Sequence, residues 1–94
     1  MSDNQSPQVD LMSLDIEEIM RYFIGISSTK AVQYLGAQVL EGSQPDKDLQ
    51  KSRLAINATK ALVETLKPTL SEEESKQLND MISNLHFAYV SESD

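Results

Sequence analysis

The segment that most restricts how this chain folds begins at Leu70. Leu70-Ser71-Glu72-Glu73-Glu74 precedes an apolar series, Leu78, Met81, Ile82, Leu85, Ala88 and Tyr89, that ends near Val90. Steps of three and four place such a series on one side of a helix. Ser71 stands where its hydroxyl accepts from the amide of Glu74, and the Glu74 side chain is positioned to return the bond as a capping box. Glu72, Glu73 and Glu74 also meet the positive end of the helix dipole. The hydrophobic staple is missing, because Ser75 occupies the position opposite Leu70. Phe87 and Val90 fall off the main stripe.

Two more helices precede this one. Asp15, with Glu18 three residues on, predicts the start of the first, Leu14 and Ile19 fall at staple positions, and Ser13 is the competing cap. Ile16, Ile19, Met20, Phe23, Ile26, Ala31, Tyr34 and Leu35 form its stripe, while Ile24, Val32 and Val39 lie on a second side. A helix apolar on more than one face has more than one packing partner. It ends at Gly36 or at Gly42. Gly42 to Asp46 is a loop by composition. The second helix, capped by Asp46 or Asp48, carries Leu49, Ile56, Val63 and Leu66, widened by Leu54, Ala55, Ala58 and Leu62. Pro68 stops it, since a residue before proline disfavours helical angles. Little of the chain alternates with period two, so no sheet is expected. The fold class is all-α, a three-helix bundle made of a helical hairpin and a long first helix.

At 94 residues the chain is one domain. The polar ends predict disordered tails over residues 1–12 and 91–94 around a helical domain over 13–90. A folded part of about 75–80 residues builds only a marginal core. With no cysteine for disulfides and a single histidine, His86, self-association is the expected way to complete it. The net charge of −7 repels phosphate and anionic lipid, so neither nucleic acid nor a membrane is an expected direct partner. Lys47, Lys51, Arg53, Lys60 and Lys67 are spaced among acids and neutral residues and form no run. The first ten residues do not read as a signal peptide. Phe23-Ile24-Gly25-Ile26, the most apolar stretch, is far short of a span of about 20 residues.

The order of these signals resembles a family of small bacterial proteins known as domain of unknown function 1844. Ala31-Val32-Gln33-Tyr34-Leu35-Gly36, then Pro45 to Asp48, Leu49 to Leu66, Leu70-Ser71-Glu72-Glu73-Glu74 and Leu85-His86-Phe87-Ala88-Tyr89-Val90 correspond to its segments, over about residues 20 to 90. Tyr34 stands where the family has histidine, Pro68-Thr69 where it has Gly-Asn, and His86 and Ala88 where it is arginine-rich. The resemblance implies a helical fold and a bacterial cytoplasmic origin, and it brings no assigned activity.

Asp80, Ser83 and His86 lie three apart, but a Ser-His-Asp triad needs its side chains to converge on one atom, and these run along a helix flank. Glu72, Glu73, Glu74 and Asp80 lack the tight glycine-containing loop of a calcium site, and Glu17-Glu18 reads as another charged first turn. No catalytic, cofactor or metal residue is expected. Gly25, Ser27, Ser28 and Ala31 form a small-residue patch, packed either against Ala55, Ala58 and Ala61 or against a second subunit. Phe23, Ile26, Tyr34, Phe87 and Val90, with Tyr89 beside them, are the interface candidates. The expected function is a non-catalytic protein-interaction module working as a homo-oligomer, a dimer favoured, with a protein partner that the sequence does not identify. The alternatives are acidic mimicry directed at nucleic-acid-binding proteins, and a subunit of an enzyme complex.

Overall fold

The computed structural model describes residues 10–37 and 47–93. Its three helices are α1 (Ile16–Tyr34), α2 (Leu49–Leu66) and α3 (Glu72–Ser93). Among the described residues there is no strand. The fold is the all-helical three-helix bundle expected from the periodicity.

A 3-10 turn over Leu11–Ser13, whose start is held by the Asp10 carboxylate accepting from the Met12 amide at 3.2 Å, leads into α1. Regular structure therefore begins ahead of residue 13. Asp15, not Ser13, is the N-cap, and Glu18 Oε1 accepts from the Asp15 amide at 3.3 Å. At the other end Gly36 adopts φ 101°, Gly36 N donates to Gln33 O at 2.9 Å, and Ala37 N donates to Val32 O at 3.3 Å. This pair of bonds is a Schellman motif, which selects Gly36 over Gly42 as the stop. Val39, Leu40 and the loop Gly42 to Asp46 lie outside the described residues. The Asp48 amide donates to Tyr34 O at 2.8 Å, tying the start of α2 to the end of α1. Asp48 also caps α2, accepting from Lys51 N at 3.1 Å.

Pro68 ends α2, though not through the residue before it. Lys67 keeps helical angles (φ −49°, ψ −43°) and its amide donates to Glu64 O. Proline has no N–H to continue the ladder, and the chain tightens into a 3-10 turn over Lys67–Thr69. Ser71 then accepts from Glu74 N at 3.1 Å. The Glu74 carboxylate does not return to Ser71, because it reaches across to Arg21 on α1. α3 continues past Val90 to Ser93, and the Lys47–Glu92 ion pair, 2.6 Å, anchors its last turn.

α2 is the spine of the bundle, with α1 packed along one side of it and α3 along the other. Ile24, Val63 and Leu66 form one buried cluster, joined by Met20, Leu62, Leu70, Leu78, Met81 and Ile82. Ala31, Ile56 and Leu85 form a second, joined by Val32, Ala55, Met81 and Tyr89. Full burial of a Leu, Ile or Val is worth about 1.5–3 kcal/mol, so these few residues carry the fold.

The α1–α2 seam also holds polar residues that composition did not place there. Ser52 and Thr59 are fully buried. Ser52 Oγ donates to Ala31 O at 2.9 Å, and Thr59 Oγ1 donates to Ala55 O at 2.8 Å. Ser27 Oγ lies 2.6 Å from Thr59 Oγ1 and 3.3 Å from Ile24 O, so the two hydroxyls share a hydrogen bond that either can donate. The small-residue patch of α1 thus packs inside the chain through Ser27 and Ala31. Its partners are Ser52 and Thr59, with Ala55 packed against the Ala31 cluster, whereas Ala58, Ala61 and Gly25 are exposed.

Candidate functional site

Two surfaces gather the residues singled out in the sequence. The first is the outer flank of α1. Ile16, Ile19, Phe23, Ile26 and Lys30 follow one another by steps of three and four, on a side of the helix turned away from Ile24 and Ala31. Phe23 and Ile26 are 41% and 44% exposed, and Ile16 more so. Tyr34 closes this flank. It is half-buried, with Lys30 Nζ 5.1 Å and Lys51 Nζ 5.8 Å from its ring centroid. Two cations on one phenol ring fix Tyr34 across the end of the α1–α2 hairpin.

The second surface is an open groove of about 860 Å³ between α2 and α3. Arg53, Asn57 and Lys60 line it from α2, and Asn79, Ser83 and His86 from α3. Ile56, Ile82 and Tyr89 give it an apolar floor, with Phe87 and Val90 at the edge. Phe87 is 74% exposed and Val90 46%. Phe87 also reaches a smaller groove on the α1 side of α3, beside Val32 and Leu35. The structure therefore brings Phe23, Ile26 and Tyr34 together on one face and Phe87 with Val90 on another.

The charges are distributed unevenly. Arg21 pairs with Glu74 at 2.9 Å, Lys47 with Glu92 at 2.6 Å, Lys67 with Glu64 at 3.9 Å and Lys76 with Asp80 at 3.3 Å. Lys30 and Lys51 lie over Tyr34. Arg53 and Lys60 complete the set of eight basic side chains, and neither is ion-paired among the described residues. Both line the same groove, whose lining includes no carboxylate. Of the cations scattered along the sequence, two, Arg53 and Lys60, thus share one wall of this groove. The Arg21 guanidinium is held above its usual value, first by its hydrogen bond to Glu74 and then by the nearby carboxylates of Glu74, Glu17 and Glu18.

Asp80, Ser83 and His86 are all exposed, and Asp80 is engaged by Lys76. Among the described residues no group of three or more His, Asp or Glu is gathered as metal ligands. Every buried side-chain polar atom described has a hydrogen-bond partner, so no orphaned donor or acceptor points to a missing ligand.

What the geometry defines is a small three-helix bundle with a shared central helix and large apolar side chains left on two separate faces. The chain belongs to the family described as Domain of unknown function (DUF1844), whose model matches residues 20–91, a stretch that includes the α2–α3 groove and most of α1. Comparisons with curated proteins and with solved structures give no match.

Proposed function

We propose that this protein is a cytoplasmic, non-catalytic protein-interaction module that works as a homo-oligomer, a dimer being favoured. The observation that carries the reading is the α1 flank. Ile16, Ile19, Phe23 and Ile26 repeat at the three-four spacing of a two-helix seam, and no other described element covers Ile16, Phe23 or Ile26. Covering these three half-exposed side chains on each of two copies offers about 6 kcal/mol. That meets only the lower end of the association cost of about 4–15 kcal/mol, so a micromolar dimer draws on flank contacts beyond these three side chains. No described helix is long and apolar enough to cross a membrane.

Light scattering and sedimentation from micromolar to millimolar concentration test the oligomer. The expected result is a concentration-dependent dimer that Phe23→Asp converts to a monomer of unchanged helicity. A wild-type chain that stays monomeric throughout overturns it.

A further inference from the structure

The α2–α3 groove combines three properties. Its floor is apolar (Ile56, Ile82, Tyr89), and its α2 wall carries Arg53 and Lys60, neither of them ion-paired to a described residue. No carboxylate lines it, although the chain carries 15 acidic side chains against 8 basic ones. We propose that this groove docks an acidic amphipathic helix of a partner protein. The proposal rests on the reading of the chain as an interaction module and not on its being a dimer.

The occupant's secondary structure follows from the walls. Both are helices whose backbone groups are already bonded within themselves, so they offer no ladder of free N–H and C=O groups to an extended peptide. A helix satisfies its own backbone and needs only a groove for its apolar face. Arg53 to Lys60 spans about 10 Å of α2, and Asn79 to Val90 about 16 Å of α3, which suits two to three turns. The occupant's charge follows from the cations. Arg53 and Lys60 stand two turns apart on one side of α2, so glutamates or aspartates at a matching two-turn spacing meet both. A symmetric dimer through this groove instead sets Arg53 and Lys60 against their own copies, and like charges across an interface disfavour it.

Fluorescence anisotropy with a labelled, four-turn synthetic peptide tests this. The probe has leucines at i, i+3, i+4 and i+7 of each repeat and glutamates elsewhere. One control replaces every glutamate by lysine, and another has the same composition scrambled to destroy the apolar face. The glutamate peptide is expected to bind, more weakly as salt rises, and both controls to bind at least about tenfold more weakly. The exposed pair Arg53→Ser/Lys60→Ser is expected to keep the helical circular dichroism and lose about tenfold in affinity together with the salt dependence. Phe23→Asp is expected to bind the peptide as the wild type does, which separates this site from the dimer. No binding of the glutamate peptide overturns the proposal, as does equal binding of the scrambled peptide or unaltered affinity in the double variant. Displacement of the peptide by laurate at similar concentration reassigns the groove to small anionic amphiphiles and overturns it too.

Discussion

Arg21 on α1 and Glu74 on α3 form a two-pronged ion pair, Nε to Oε2 at 2.9 Å and Nη2 to Oε1 at 3.3 Å. It joins two helices that otherwise meet mainly through α2. Both side chains are more than one-third exposed, so solvent and salt screen the pair. Arg21→Ala is expected to lower the melting temperature by a few degrees at most, and Glu74→Ala by slightly more because Glu74 lies in the first turn of α3. The two losses are expected not to add, and the coupling is expected to vanish in molar salt. Held above its ordinary value, Arg21 contributes fully below the usual arginine range and is lost only as pH climbs past it. Titration of Arg21 therefore adds no step to stability across the neutral range. Calorimetry of the four-member cycle at low and high salt checks this.

The hydroxyl chain in the α1–α2 seam sets a second expectation. Thr59→Val keeps the side-chain shape but removes the hydroxyl partner of Ser27, which is left with Ile24 O at 3.3 Å. A loss of about 0.5–1.5 kcal/mol is expected, and a similar one for Ser52→Ala. Ser52→Leu is expected to cost more, about 1–3 kcal/mol, because that position has no exposed surface and the helices must separate. Urea midpoints measured at unchanged slope give these values.

Gly25 and Gly36 predict opposite signs for the same substitution. A Cβ at either position meets nothing within 4 Å. Gly25 lies inside α1, so Gly25→Ala is expected to stabilise by about 0.4–1 kcal/mol through the unfolded chain. Gly36 holds φ 101° in the Schellman motif, so Gly36→Ala is expected to destabilise by about 1–2 kcal/mol. Thermal melts of the two variants decide it.

Leu66 and Phe87 separate core from surface. Leu66 is buried at the meeting of all three helices, and Leu66→Ala is expected to cost about 2–5 kcal/mol. Phe87→Asp is expected to change stability by no more than about 0.5 kcal/mol, because the ring is mostly in solvent. A folded Phe87→Asp protein is then a usable probe for partner capture, and chemical denaturation shows whether it is one.

Helix ends were legible in the sequence to within a pair of candidates, Ser13 or Asp15, Gly36 or Gly42, Asp46 or Asp48, because their signals are local. Asp15, Gly36, Asp48, Pro68 and Ser71 act through groups within a few residues of themselves. The seam was only half legible. Leu49, Ser52, Ile56, Thr59, Val63 and Leu66 keep an unbroken three-four spacing along α2, but polarity hid the second and fourth members. Their hydroxyls are bonded within the seam, which is why burial is tolerated. Glu74 read as half of a capping box because only tertiary packing brings Arg21 to it. The placing of Arg53 and Lys60 on one groove wall was not legible for a similar reason. Arg53 and Lys60 share a side of α2 by spacing alone, but which side α3 leaves open depends on how the hairpin closes. The exposure of Phe87 and Val90 agrees with their distance from the main stripe of α3.

The two sides of α2 are joined differently, and the difference bears on motion. Against α1, close-fitting Ala31, Ser27, Ser52 and Thr59 are fixed by hydrogen bonds. Against α3, the contact runs through longer side chains, Leu78, Met81, Ile82 and Tyr89, and α3 is further tied near its ends to Arg21 of α1 and to Lys47 ahead of α2. Methionine and other long side chains repack with little loss, so α3 is the helix expected to give way first when the fold breathes. The groove above Ile56 and Ile82 then has one rigid jaw and one compliant jaw, hinged at Lys67–Thr69. Its width becomes an adjustable quantity, tuned by whatever enters and by the salt that loosens the clasps on α3.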